Sequence, residues 1–288
     1  MHEESQQPRS PEPPDQPPGD APSARPGVID RLLYQPIVGA PSLLPRSGKN
    51  PDFHLGSDAL ADAIAGMLAK KIPLQRPVLL LAGWRSPEFG GRVLASRLAE
   101  LTCGDLDQFW PLAYPMRGDL KRIASMVAVK VHDRWPGEGR ETIPIDVVGH
   151  SMGGLVARLA ASPNRQGPRL QIKRLFTLAT PHRGARLATK IAPDPAARDM
   201  KPGSALLKRL DEELEHNPFE LIPYAHCHDT WVGAHNTAPP GRDPFWTPGT
   251  WVFSHFSIHE DRLIQADIAR RLRGEKPIAK KATPPPTD

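Results

Sequence analysis

Apolar positions along the chain fall into two kinds of segment that alternate. Short continuous apolar runs predict strands buried on both faces, and apolar residues three or four apart predict amphipathic helices. The predicted strands lie at 78–82, 143–148, 172–179, 221–227 and 250–254. The predicted helices lie at 57–71, 91–101, 119–134, 155–161, 204–214 and 257–272. This alternation favours an α/β fold, a mostly parallel β-sheet flanked by helices on both faces.

The two ends of the chain differ from the body between residues 28 and 273. Residues 1–27 hold eight prolines, almost no large apolar side chain and a net charge of −3. Residues 274–288 hold four prolines and three lysines. Because neither end buries enough apolar surface to offset the entropy of ordering, we predict two disordered tails around a single domain.

Composition narrows the class of protein. The net charge of +5 comes without a basic run longer than two or three residues in the body, so we expect no nucleic acid partner. The longest apolar run, 78–82, is far shorter than the roughly 20 residues of a transmembrane helix. The first residues lack the layout of a signal peptide, and the two cysteines fit a reducing compartment. We therefore expect a cytoplasmic protein with no transmembrane segment. Peripheral membrane contact and oligomeric state stay open.

One short motif carries the strongest chemical signal. Gly149-His150-Ser151-Met152-Gly153 is a G-x-S-x-G in which the serine stands directly between a predicted buried strand and a predicted helix. A nucleophile elbow requires a serine between a strand and a helix, and this position is stronger evidence than the G-x-S-x-G motif alone. The two glycines let the strand and helix backbones pass close together. We predict that Ser151 is the nucleophile, in an elbow formed with Gly149, His150 and Gly153.

A serine hydroxyl needs a base to take its proton and an acid to orient that base. The elbow predicts the chain order Ser, Asp or Glu, His. Asp229 follows the predicted strand 221–227, and His255 follows the predicted strand 250–254. Because both would lie at strand ends near Ser151, we predict Asp229 as the acid and His255 as the base.

Other residues compete for these roles. His259 is the alternative base, although it falls in the first turn of the last predicted helix, which Ser257 and Glu260 would cap. Asp194 and Asp243 are alternative acids in loops less clearly tied to strand ends.

A metal site is a further alternative. A cluster of possible ligands invites that interpretation: His226, His228, Asp229 and His235. Its spacing lacks the further histidine expected of hydrolytic metal motifs, and the elbow accounts for more residues. We therefore expect no metal and no cofactor.

The tetrahedral intermediate of acyl transfer needs two backbone N–H donors. One is the residue after the nucleophile, Met152. The other is expected in the loop after the strand 78–82, where Trp84 follows Gly83. Trp84 is therefore the predicted second donor.

Together these features resemble the α/β-hydrolase superfamily, in particular its lipase and esterase branch, over about residues 77–273. Besides the elbow, Asp229 and His255, the resemblance rests on two segments: Leu178-Ala179-Thr180-Pro181-His182-Arg183-Gly184 and Met200-Lys201-Pro202-Gly203-Ser204-Ala205-Leu206-Leu207. It implies a serine hydrolase that cleaves a small-molecule or lipid carboxylic ester through Ser151, Asp229 and His255. An acyl-enzyme would form, with Trp84 and Met152 as oxyanion donors.

One departure from the family and one insertion affect this interpretation. The family usually has His-Gly where this chain has Ala82-Gly83, so we expect a working site of altered rate or selectivity. Residues 185–220 would overhang the strand ends, where we predict that they form a small cap or lid. Ordinary core packing of the helix in that segment is the alternative.

Two alternatives concern the function itself. An acyltransferase would use the same triad. A binding protein with this fold and no catalytic activity would contain the elbow without using it. We expect His182 to be structural, His150 to line the elbow or pocket, and Asp146 to need a buried hydrogen-bond partner without a catalytic role.

Overall fold

The structure, a computed structural model, describes residues 48–83, 88–112, 114, 119–187, 195–250 and 253–286. The predicted N-terminal tail, the oxyanion residue Trp84 and the alternative acid Asp194 lie outside these ranges.

Within the described residues, one sheet organises the fold. Its strands are β1 (Val78–Leu81), β2 (Phe109–Leu112), β3 (Ile145–His150), β4 (Ile172–Leu178), β5 (Glu220–His226) and β6 (Phe245–Thr247). They lie in the order β2-β1-β3-β4-β5-β6, and every pair is parallel. Because β1 lies between β2 and β3, the order of the strands reverses there. A parallel sheet places its binding crevice at the carboxyl ends of the strands at such a point.

Helices cover both faces of this sheet. They are α1 (Ser57–Ala69), α2 (Glu88–Leu101), α3 (Leu120–Arg134), α4 (Met152–Ala160), α5 (Pro195–Asp199), α6 (Ala205–Leu214), α7 (Ser254–Ser257) and α8 (Arg262–Leu272). One core contains α3, α4 and α6, and the other contains α1, α2 and α8. None of the helices in the described ranges combines the length and the apolarity needed to cross a bilayer.

The alternation of side chains along β1 explains its continuous apolar run. Leu79 and Leu81 belong to the core under α3 and α4, whereas Val78 and Leu80 belong to the core under α2 and α8. A strand between two helical layers has no solvent face, so every position is apolar. The predicted α/β architecture is confirmed.

Two strand predictions differ from the structure. The edge strand β2 was not predicted, since Pro111 interrupts its pattern; an edge strand tolerates the missing N–H. Where a strand was predicted at 250–254, the described residues 250, 253 and 254 do not form one: Ser254 begins α7, and the last strand in the described ranges is β6 at 245–247. Pro248 and Gly249, which has a φ of +77°, follow β6 directly.

The start of the last helix also differs from its prediction. Asp261, rather than Ser257 with Glu260, caps α8, and its Oδ1 accepts the N–H groups of Leu263 at 2.9 Å and Ile264 at 3.2 Å. The residues before it form α7 and a single 3₁₀ turn, 258–260.

The segment after α8 packs against the body of the fold. The N–H of Ile278 donates to Asp267 at 2.6 Å, the Arg271 guanidinium donates to the carbonyl of Ala279, and the Trp246 indole donates to the carbonyl of Thr283. The prediction of a disordered tail is therefore wrong for residues 274–286. Local composition did not reveal that buried polar groups of the body bind this backbone.

Candidate active site

The elbow is a strained turn between β3 and α4. Ser151 has φ 51° and ψ −124°, a conformation that non-glycine residues rarely adopt. A methyl group on Gly149 would come within 2.6 Å of the Cα of Gly154, and one on Gly153 would collide with the carbonyl of Leu81. The strand and the helix can therefore approach closely only through glycine, and this close approach fixes the turn that holds Ser151.

The structure brings the three predicted catalytic side chains together. The Nε2 of His255 lies 3.0 Å from the Oγ of Ser151, and its Nδ1 lies 2.8 Å from the Oδ2 of Asp229. Asp229 follows β5, and His255 lies in α7. All three side chains are buried. The arrangement is that of a nucleophile, a base and an orienting acid within hydrogen-bond reach.

The environment of Asp229 keeps its carboxylate ionised. Its Oδ1 accepts the N–H groups of Trp231 at 2.9 Å and Val232 at 3.0 Å, which leaves Oδ2 for His255. Burial alone would raise the pKa of Asp229, but His255 and these two N–H groups lower it below its ordinary value. An ionised acceptor at Nδ1 holds the proton there and leaves the Nε2 lone pair facing Ser151.

An apolar cavity of about 40 Å³ opens beside Ser151 and His255. Its other walls come from loops, α5 and α7: Pro181, Ala185, Leu187, Ala197, Met200, Trp231, Val232 and Phe256. The Trp231 ring stacks on the His255 imidazole, with centroids 5.8 Å apart and planes inclined by 16°. Sequence reasoning missed Trp231, whose only signal was its place two residues after the predicted acid.

Comparison with known proteins bears on the fold. The sequence model of the family described as PGAP1-like alpha/beta domain matches residues 119–192, which contain the elbow. The lipase BlEst2 of Bacillus licheniformis in its mature form is 17% identical, with a TM-score of 0.53 over 70% of this chain and 94% of that chain. Aspergillus fumigatus lipase B is 15% identical, with a TM-score of 0.51 over 84% of this chain and 65% of that chain. No curated protein sequence is significantly similar.

The chain has the α/β-hydrolase fold. The fold implied by the elbow and the strand pattern is confirmed, since both solved structures match this chain with TM-scores above 0.5. At these identities the similarity concerns the fold, so the chemistry of this chain has to be argued from its own residues.

His150, in the elbow of this α/β-hydrolase, is tied to the loop that carries His255. Its Nε2 donates to the backbone carbonyl of His255 at 2.8 Å. Burial, followed by the neighbouring His255 and His259, lowers the pKa of His150 to about 3. The ring is therefore neutral at pH 7, with its proton on Nε2.

The structure does not bring the alternative base or acid to Ser151. The His259 ring lies on the far side of His150, with centroids 6.2 Å apart, and its Nε2 is 3.7 Å from Glu260. Asp243 lies in the loop before β6, while the Nδ1 of His255 already bonds Asp229.

The predicted oxyanion donors are only partly described. Met152 is the first residue of α4, where backbone N–H groups have no partner within the helix and face a developing negative charge favourably. Trp84 lies outside the described ranges. Its neighbour Gly83 packs on the elbow, since a methyl group there would lie 2.9 Å from the Cβ of Ser151. The chain therefore leaves β1 directly beside the nucleophile.

The predicted cap segment divides between pocket wall and core. Ala185, Leu187 and α5 contribute to the wall of the cavity, whereas the leucines of α6 are buried in the core beside α4. Core packing, the alternative interpretation, therefore describes α6. Residues 188–194 lie outside the described ranges.

Two further polar residues have structural partners. His182 is buried, with Nδ1 2.9 Å from the guanidinium of Arg158, which also bonds Asp211 at 3.1 Å. Burial, and then the charge of Arg158, lowers the pKa of His182 well below its ordinary value, so the ring is neutral. Asp146 pairs with Arg174 at 2.6 Å.

The described part of the chain contains no group of three or more His, Cys, Asp or Glu side chains arranged to hold a metal ion. Of the suspected ligands, Asp229 bonds His255, and His226 bonds Asp261 at 3.2 Å.

Proposed function

We propose that this α/β-hydrolase is a serine-dependent carboxylic ester hydrolase. One observation carries the proposal, the continuous hydrogen-bonded series from the Oγ of Ser151 through His255 to Asp229. The strained turn at Ser151 supports it, because strain in the backbone clusters at functional sites.

In the proposed reaction, the Oγ of Ser151 attacks the ester carbonyl while the Nε2 of His255 takes its proton. The oxyanion is stabilised by the N–H of Met152 and by a second donor, for which Trp84 is proposed. The intermediate collapses to an acyl-enzyme, and His255 protonates the departing alcohol. His255 then activates water, which releases the acid and regenerates Ser151. Asp229 stays ionised and stabilises the imidazolium in both halves.

The cavity supports a preference for short acyl groups. Its volume of about 40 Å³ is room for about three or four water molecules, at roughly 10–15 Å³ each. Met200 and Leu187 wall the cavity with apolar atoms, which favours an acyl chain over a polar group. We propose acyl groups of about two to four carbons, a range that matches this volume.

We also propose a cytoplasmic location. Cys103 and Cys227 are both free thiols, as in proteins of a reducing compartment. Burial raises the pKa of the Cys227 thiol to about 12, so that it stays protonated and unreactive.

The test is hydrolysis of p-nitrophenyl esters of increasing acyl length by the wild type and by Ser151→Ala. The variant should lose about 10⁴-fold or more in kcat, with its thermal unfolding unchanged. Ser125→Ala, which alters a half-buried serine of α3 that does not line the cavity, is the matched control and should keep wild-type kinetics. A phosphonate ester should label the wild type and the control but not Ser151→Ala. Equal hydrolysis by wild type and Ser151→Ala would overturn the proposal, and ester formation from an added alcohol would indicate acyl transfer instead.

A further inference from the structure

A second histidine–carboxylate pair lies next to the general base. His226 is the last residue of β5, and only 2% of it is exposed. Its Nε2 lies 3.2 Å from the Oδ2 of Asp261, and its Nδ1 lies 2.9 Å from the backbone carbonyl of Ser254. The proposed reaction uses neither side chain.

The carbonyl that His226 holds belongs to the residue directly before His255. The next carbonyl, that of His255 itself, receives the Nε2–H of His150. The carbonyls of Ser254 and His255 are therefore each bonded by a histidine at the carboxyl end of a strand. His150 lies at the end of β3, and His226 lies at the end of β5. These two contacts fix the main chain from which the His255 imidazole reaches Ser151.

Asp261 holds His226 in place. Its Oδ2 also accepts the hydroxyl of Thr247 at 2.8 Å, and its Oδ1 caps α8. Burial would raise the pKa of Asp261, but its bonds to His226, Thr247 and the helix N–H groups lower it, so the carboxylate is ionised. The carbonyl of Ser254 can only accept, so His226 donates its Nδ1–H to it.

The loop after β6 is shaped around the same ring. Gly249 has a φ of +77°, and a methyl group on it would come within 2.6 Å of the Cγ of His226. The backbone thus packs directly on the imidazole, at a position that only glycine accepts without strain.

We propose that His226 and Asp261 are a positioning pair for the general base. They hold the carbonyl of Ser254, and through it the main chain of His255, where the imidazole can bridge Ser151 and Asp229. The inference rests on the proposed function, because it gives His255 its role as the base.

Two substitutions of similar size separate positioning from general support of the fold. In His226→Asn the amide nitrogen takes the place of Nδ1 and keeps the bond to Ser254, whereas in His226→Gln it takes the place of Nε2 and loses that bond. Both new side chains are neutral amides, so charge does not distinguish the two variants. We expect His226→Asn to stay within about threefold of the wild-type kcat and His226→Gln to lose about 10- to 100-fold, the range that a small misplacement of a catalytic group costs. KM should stay the same in both, because His226 does not line the cavity.

The assay is kcat and KM for p-nitrophenyl acetate, with active sites counted by phosphonate titration and folding followed by thermal unfolding. A downfield proton NMR signal from the His255–Asp229 bond should persist in His226→Asn and be lost in His226→Gln. Wild-type kcat in His226→Gln, or equal losses in both variants, would overturn the inference.

The remaining outcomes are also decisive. Should His226→Gln fail to fold, His226→Leu replaces it, since leucine fills a similar volume without a donor. If only His226→Asn folds, a fall of its kcat by more than about tenfold would refute the inference, because its bond to Ser254 is retained. Failure of the proposed function is recognised separately, as activity that survives Ser151→Ala.

Discussion

Replacing Asp229 with asparagine tests the triad most sharply, because the structure dictates how the amide must sit. The Oδ1 of Asp229 accepts two backbone N–H groups, from Trp231 and Val232. An asparagine can satisfy both only with its oxygen, so its NH₂ is forced to face the Nδ1 of His255. The imidazole then becomes an acceptor at Nδ1 and carries its proton on Nε2, which leaves no lone pair for Ser151.

The expected loss in kcat is about 10⁴-fold, the effect of the wrong tautomer in serine hydrolases. The loss of stability at neutral pH should not exceed what the wild type loses when Asp229 is protonated, because the amide retains both backbone bonds and the contact to His255. The assay is kcat/KM for p-nitrophenyl acetate together with the rate of phosphonate labelling of Ser151. Asp243→Asn, which alters one of the two alternative acids considered from sequence, is the matched control and should keep wild-type rates. A loss of less than tenfold in Asp229→Asn, or a larger loss in Asp243→Asn, would refute the assignment of the acid.

Three further predictions concern the pocket, the core and acid stability. Met200→Ala should move the optimum to acyl chains longer by about two carbons, because the truncation enlarges the cavity; an unchanged chain-length profile would show that Met200 does not limit the pocket. Arg158→Leu should cost about 3 kcal/mol in urea unfolding, because it leaves Asp211 without its buried partner, and a loss below about 1 kcal/mol would contradict this. The pKa values of Asp229 and Asp261 are lowered in the fold, so their contribution to stability is complete above the unfolded value of about 3.9 and is lost as pH falls through the folded values. Urea unfolding of the wild type at decreasing pH should show this loss, and the loss should be smaller in Asp229→Asn. An identical pH dependence of the free energy of unfolding in the two proteins would contradict the prediction.

Local patterns predicted most of the sheet because its strands are buried on both faces. β1 is a continuous apolar run of four buried residues, and most positions of β3, β4 and β5 are buried as well, a pattern typical of strands between two helical layers. The exceptions have physical causes. Pro111 hides the edge strand β2, and the three residues of β6 are too few to show a pattern.

The candidate site also contains residues that could be predicted from the sequence and residues that could not. Ser151 could be predicted because the elbow is local in sequence. The prediction of His255 relied on the chain order expected of the triad and on a strand at 250–254 that the described residues 250, 253 and 254 do not form. The stacking of Trp231 and the pairing of His226 with Asp261 depend on packing between distant segments, which no periodicity records.

At position 82 this chain has alanine where the family usually has histidine, and other side chains contact the same loop. The hydroxyl of Tyr114 donates to the backbone carbonyl of Ala82, a bond that does not depend on the side chain at that position. A methyl group on Gly83 would lie 3.1 Å from the Nδ1 of His150, so the elbow histidine packs against the exit from β1. An imidazole and a hydroxyl thus adjoin the loop, although neither comes from residue 82. Because an oxyanion donor is a backbone group whose position depends on the exit from β1, these contacts favour turnover over an unused elbow.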